Sequence, residues 1–136
     1  LHGKVVGIVS RLMADWGRKV TMDELLSIDV DDRGTDVVAK VAGELDFGTT
    51  PQFLRAMEPL VVTGGSLVLD LSELTFCDSS ALSALVRLHK RAKAAGAEFA
   101  LARLRPQVEG AITVTMLHRL LVIHEEVPAA GESSPS

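Results

Sequence analysis

Asp78-Ser79-Ser80 is the segment of this sequence best placed to do chemistry. An acid and two hydroxyls follow a short apolar stretch, Phe76-Cys77, and precede the apolar-periodic run that starts at Ala81-Leu82. The order is that of a strand, a tight connection and a helix start. Asp78 is the natural N-cap, its carboxylate accepting from the backbone N–H of Ser80 or Ala81. Ser79 then takes the first helical position with a hydroxyl that capping does not need. It can point to solvent beyond the carboxyl end of the strand, where sites form in open α/β sheets. Read alone, Asp-Ser-Ser is also a plain helix cap. A nucleophilic role for Ser79 lacks its surroundings: there is no Gly-x-Ser-x-Gly elbow and no phosphate-cradling glycine loop. The histidines at 2, 89, 118 and 124 sit in no motif, and His118 and His124 lie far from any cysteine or acid cluster that could complete a metal site. No catalytic residue, cofactor or metal is expected.

The elements that must position this segment can be read from periodicity. Leu26, Ile28 and Val30 alternate with Ser27, Asp29 and Asp31, as in a half-buried strand. Asp31-Asp32-Arg33-Gly34 reads as a turn. Val37 to Ala42 read as the second strand of a hairpin. Thr49-Thr50-Pro51 predicts a helix start with Thr50 as N-cap and Pro51 at the first helical position. That helix runs through Phe53, Leu54 and Met57 and ends or kinks near Pro59. Phe53 and Met57 suit the core, with the docking side an alternative for Phe53. Leu67-Val68-Leu69, continuing to Leu71, reads as a central strand covered on both faces. Ala81, Leu85, Leu88, Ala92 and Ala95 form one stripe of a second helix, and Gly96 suits its C′ position. Arg87, Lys90 and Arg91 fall off the stripe, as a solvated face or as a guide for an acidic partner. Phe99 and Leu101 belong to another strand, residues 107–118 to a third helix, and Leu120 to Ile123 to a final strand. Strands alternating with helices imply a parallel portion of sheet, which the initial hairpin makes mixed. The expected fold class is α/β: a mixed sheet of four to five strands, an N-terminal hairpin and three to four packed helices.

At 136 residues, 47% of them apolar, the chain fits one domain with one real core. Residues 1–21 carry a net charge of +3, leaving −7 for 22–136 out of a total of −4. The acidic body offers no field for nucleic acid. One Trp and no Tyr argue against stacking platforms for single strands. No run of about 18 apolar residues is present to span a bilayer, and Ser10, Arg11 and Asp15 break the one stretch that could resemble a secretory signal. The lone Cys77 suits a reducing compartment, so the expected localisation is cytoplasmic. Val5, Val9, Leu12 and Trp16 at 4/3/4 spacing allow a surface-docking helix within 1–21. Equally, Leu1 is not a normal start and Met22 would be, so 1–21 can be an extension without a role. The globular domain is expected over 22–127, and Pro128 to Ser136 have the composition of a disordered tail.

Three anchors together carry a family resemblance: Gly43-Glu44-Leu45-Asp46, Leu67-Val68-Leu69-Asp70-Leu71-Ser72, and Phe76-Cys77-Asp78-Ser79-Ser80-Ala81-Leu82. In this order and spacing the run from about Leu26 to Val127 resembles the STAS domain (sulfate transporter and anti-sigma factor antagonist). The resemblance is to the bacterial anti-sigma factor antagonist type. It implies a STAS-like fold and a docking protein, not an enzyme. It also implies that the serine after the motif's Asp, here Ser79, is phosphorylated by the anti-sigma factor, a kinase of the serine/histidine-kinase-like ATPase type. Asp46 matches the acid beside that site. The implied docking patch comprises Asp46, Asp78, Ser79, Ser80 and Ala81. Ala81 departs from the family's usual glycine and is expected to add a methyl near the docking surface. An alternative job on the same fold is a subunit or scaffold that docks a transport ATPase or a stress-signalling assembly, with Ser79 only a cap. A small Ser-dependent hydrolase is the remote alternative. The oligomeric state is left open by the sequence.

Overall fold

The computed structural model describes residues 25–129 and the backbone of His2–Lys4. The helical spacing of Val5 to Trp16 and most of the expected tail lie outside the described residues. Strands β2 (Leu26–Asp32) and β3 (Asp36–Leu45) form the antiparallel hairpin. Leu26, Ile28 and Val30 are buried, so the period-two pattern marks the inward face as expected. Gly34 takes φ +96° in the turn, where its N–H donates to Asp32 Oδ1 at 2.9 Å. Strands β4 (Ser66–Cys77), β5 (Glu98–Ala102) and β6 (Val122–His124) then add in parallel, each beside the last. The backbone strand β1 (His2–Lys4) pairs antiparallel with β2, so the sheet order is β1-β2-β3-β4-β5-β6. The five strands from residue 26 onward are those that the sequence pattern predicts.

Helices α1 (Thr50–Met57), α2 (Ser79–Ala94) and α3 (Pro106–Val114) pack on one face of this sheet. Phe53 and Met57 of α1, Leu85 and Leu88 of α2 and Ile112 of α3 are fully buried against Leu67, Leu69 and Leu71. Phe53 is therefore a core residue and not part of a docking side. The opposite face carries a smaller cluster of Val38, Val68, Ala100 and Ala102, with Val127 packed on it. Residues 66–71 are buried throughout, which explains the unbroken apolar run of β4. Pro128 is tied back to the hairpin by its carbonyl, which accepts from Arg33 Nη1 at 3.0 Å. No helix among the described residues is long and apolar enough to cross a membrane.

Local details depart from the sequence expectations in three places. The N-cap of α1 is Thr49, not Thr50: its carbonyl accepts the first helical bond, from the Phe53 N–H at 3.0 Å, while its Oγ1 is held within the preceding loop and makes no capping bond. The third helix ends at Val114, where Met116 takes a left-handed φ of +66° and a 3-10 turn covers Leu117–Arg119. The last strand consequently starts at Val122, two residues later than its apolar content suggests.

Candidate functional site

The site is assembled by the register of the two central strands. Leu45 and Cys77, the last residues of β3 and β4, are paired in parallel. Both chains therefore leave the sheet at the same end, Asp46 beside Asp78. The Asp78 N–H donates to the Leu45 carbonyl at 3.3 Å. β3 reaches this register through two shifts, between Lys40 and Ala42 and between Gly43 and Glu44. At the second, Gly43 takes φ +109° and passes against the Leu25 backbone.

Asp78 does two jobs. Its Oδ1 accepts from the Ala81 N–H at 3.0 Å, the capping bond expected of an N-cap acid. Its Oδ2 accepts from the Phe47 N–H, also at 3.0 Å, which fastens the β3–α1 loop to the start of α2. Asp46 organises the same loop from within. Its Oδ1 accepts from the Gly48 and Thr49 N–H groups at 2.9 and 3.0 Å, and its own N–H donates to Thr49 Oγ1. Thr49 Oγ1 in turn donates to the Glu44 carbonyl at 2.9 Å. The loop is thus held by its own polar groups and leaves its apolar residue outside.

That residue is Phe47, 80% exposed. Sequence reasoning missed it, although an aromatic between Asp46 and Gly48 in an otherwise polar loop was the available signal. It stands over a groove of about 380 Å³ between α1 and α2, lined also by Pro51, Leu54, Ser80, Ser83 and Arg87. Arg87 is held at the far end by Glu58, Nε to Oε2 2.6 Å. Ser79 is the first residue of α2 and is exposed, and Ser80 is half-buried. Of the residues expected in the patch, the fold brings Asp46, Asp78, Ser79 and Ser80 together at one end of the sheet. Ala81 is different. It is fully buried in the main core, so its methyl faces inward and not toward a docking surface. The first turn must bury one residue against the sheet, and position 81 opens the apolar stripe. Asp70, part of the second sequence anchor, lies away from the patch. It is 6% exposed, accepts from the Ser72 N–H at 3.0 Å and pairs with Arg103 at 3.6 Å.

Cys77 lies beneath the site. Burial pushes its thiol up to about 11, and the neighbouring Asp78 carboxylate adds to the shift. Both causes disfavour the thiolate, which is the reactive form. Alkylation of Cys77 by iodoacetamide at pH 8 should therefore run about a hundredfold slower than that of a free cysteine. A rate equal to the free amino acid's would contradict this environment.

The comparisons with known proteins agree with this geometry. A family model of the STAS domain matches residues 27–130. A STAS-domain containing protein of Pseudomonas aeruginosa (strain UCBPP-PA14) is 31% identical over 90 residues, covering 66% of this chain and 89% of that protein. The anti-sigma-B factor antagonist of Bacillus subtilis (strain 168) is 26% identical over 98 residues, covering 72% of this chain and 90% of the antagonist. The crystal structure of an anti-sigma factor antagonist from Mycobacterium paratuberculosis aligns with a TM-score of 0.67 at 25% identity, over 75% of this chain and 87% of that one. With a mixed sheet, helices on one face and the Asp-Ser-Ser turn at the end of its central strand, this chain belongs to the STAS domain family.

Proposed function

We propose that this chain is an anti-sigma factor antagonist. It docks an anti-sigma factor of the serine/histidine-kinase-like ATPase type and is switched off when that kinase phosphorylates Ser79. The docking surface is the β3–α1 loop together with the first turn of α2. Asp46, Asp78, Ser79 and Ser80 form its polar part, and Phe47 is its apolar anchor. Ala81 supports this surface from below. The protein performs no chemistry of its own in this reading; it supplies a hydroxyl. Ser79 Oγ attacks the γ-phosphorus of the kinase's ATP, the bond to ADP breaks, and the hydroxyl proton passes to a base of the kinase.

One observation carries the reading: Asp78, and not Ser79, caps α2. The Ser79 hydroxyl is exposed and structurally spare, so it can be modified without dismantling the helix. The relatedness to anti-sigma factor antagonists supports the choice of partner.

The test is phosphorylation itself. Incubation with the cognate kinase and ATP should add one phosphate, which fragmentation mass spectrometry assigns to Ser79. Ser79→Ala should take up none, and Ser80→Ala should be modified like the parent chain. Uptake by Ser79→Ala, or loss of uptake in Ser80→Ala alone, would place the switch elsewhere.

A further inference from the structure

Helix α2 carries Arg87, Lys90, Arg91 and Lys93 and no acidic residue, within a segment, 22–136, whose net charge is −7. The helix macrodipole accounts for Arg91 and Lys93 only, since those two stand in the last turn. Arg87 and Lys90 lie farther in. With Ser80 and Ser83 they recur at 3/4/3 spacing, so the four share one stripe of the helix, with Arg91 beside them. Ser83, Arg87, Lys90 and Arg91 are all exposed, so the stripe faces outward. Glu58, just past α1, holds Arg87 Nε at 2.6 Å and is the one carboxylate paired with this helix among the described residues. Lys90 and Lys93 make no ion pair among them. The positive field is thus left largely uncompensated. His89 feels it: its imidazolium is disfavoured by burial first, and then by the Lys93 and Lys90 charges. The stripe also continues the Ser79 surface, because Ser80 and Arg87 line the same groove as Phe47. At about 1.5 Å per residue, Arg87 to Arg91 stand about 12–18 Å along the helix from Ser79. One face therefore has two charged ends, Asp46 and Asp78 at the start of α2 and the three cations farther along it.

We propose that this basic stripe receives an acidic segment of the same anti-sigma factor, and that the charge order along α2 fixes the direction in which the kinase docks. The inference rests on the Ser79 reading and names the chemistry of the partner's contact. Continuity and charge identify the occupant. A partner surface that covers Ser79 and Phe47 and extends along the groove meets Arg87, Lys90 and Arg91, and acidic side chains are their complement. Docked the other way round, the same partner would set its acidic segment on Asp46 and Asp78, and like charges in contact penalise that complex. The dipolar face also disfavours nucleic acid or an anionic bilayer, since a uniform polyanion laid along α2 would meet the two acids at its start.

Stopped-flow association of the full chain with the cognate kinase, at about 50 mM and about 500 mM salt, tests this inference. Lys90→Glu should slow association about tenfold at the lower salt and come within about twofold of the parent at the higher. Its dissociation rate should change less. Lys90→Gln removes the charge without adding one and should slow association about threefold, which keeps the test open if Lys90→Glu fails to fold. Arg119→Glu makes the same change in net charge in the exposed turn between α3 and β6 and should associate like the parent. Unchanged association of both Lys90 variants, with Ser79 still phosphorylated in the parent chain, overturns the inference and leaves the Ser79 reading intact. If those variants instead lose binding to phosphatidylserine vesicles, the stripe belongs to a membrane and the inference is again overturned. Equal slowing by Arg119→Glu also overturns it, because net charge and not the stripe is then responsible. A kinase that neither binds nor phosphorylates the parent chain overturns the Ser79 reading, and this inference falls with it.

Discussion

Phosphorylation of Ser79 is expected to weaken the complex with the anti-sigma factor about a hundredfold, and Ser79→Asp at least about tenfold. A phosphate adds about −1.5 to −2 charges at neutral pH, and an aspartate adds less. The hydroxyl it replaces stands at the start of α2, directly after Asp78 and beside the loop that carries Asp46. In the free chain this costs little. The dianion is exposed to water, and the helix N-terminus stabilises it by about 0.3–1 kcal/mol. The complex differs, because docking strips water from the phosphate while Asp78 is already committed to the Ala81 and Phe47 N–H groups. Repulsion between fixed acids and desolvation of the dianion need supply only about 2.7 kcal/mol for a hundredfold effect. The check is paired: titration calorimetry for the complex and thermal melting for the chain. The melting temperature should barely move while affinity falls. Equal affinity of Ser79→Asp and the parent chain would sink the switch.

Gly43→Ala is expected to destabilise the fold by about 3–5 kcal/mol, the sum of a forbidden backbone angle, a steric clash and a lost hydrogen bond. Gly43 holds φ +109°, which an L side chain rarely adopts. A Cβ there would overlap the Leu25 carbonyl, the oxygen that accepts the Glu44 N–H at 2.7 Å. Backbone has to shift in β3 and at the start of β2, at the register step that aligns Leu45 with Cys77. The effect therefore reaches the site as well as the core. Gly34→Ala is the control. Gly34 also has positive φ, at +96°, but nothing lies within 4 Å of its would-be Cβ. Only the conformational cost of about 1–2 kcal/mol applies there. Thermal denaturation should show a loss of at least about 15 °C for Gly43→Ala and a clearly smaller one for Gly34→Ala. Equal losses would mean that the close approach to Leu25 carries no energy.

Much of the fold was legible because burial imposes a period. Leu26, Ile28 and Val30 alternate since one face of β2 packs inward, and Ala81, Leu85, Leu88 and Ala92 recur since one stripe of α2 does. The Asp78 cap was legible for a local reason: its carboxylate serves an N–H three residues away. Local chemistry of that kind needs no knowledge of the rest of the chain. Met116 shows the limit. A non-glycine residue at φ +66° ends the α3 region early, and the composition of residues 107–118 carries no sign of it.

The sequence alone thus determined the α/β class, the hairpin, the order of strands and helices, and an alcohol at the head of the second major helix. It could do so because these depend on residue spacing and nearest neighbours. Tertiary structure alone decided that Phe47 stands out in solvent, and it settled Phe53, six residues later, in the core and not on the docking side. The meeting of Asp46 and Asp78, 32 residues apart, was implied by the family resemblance and by no local pattern; the fold supplies the contact, through the Phe47 N–H. Those outcomes depend on the register between β3 and β4, where hydrogen bonds between distant segments select which side chains share a face.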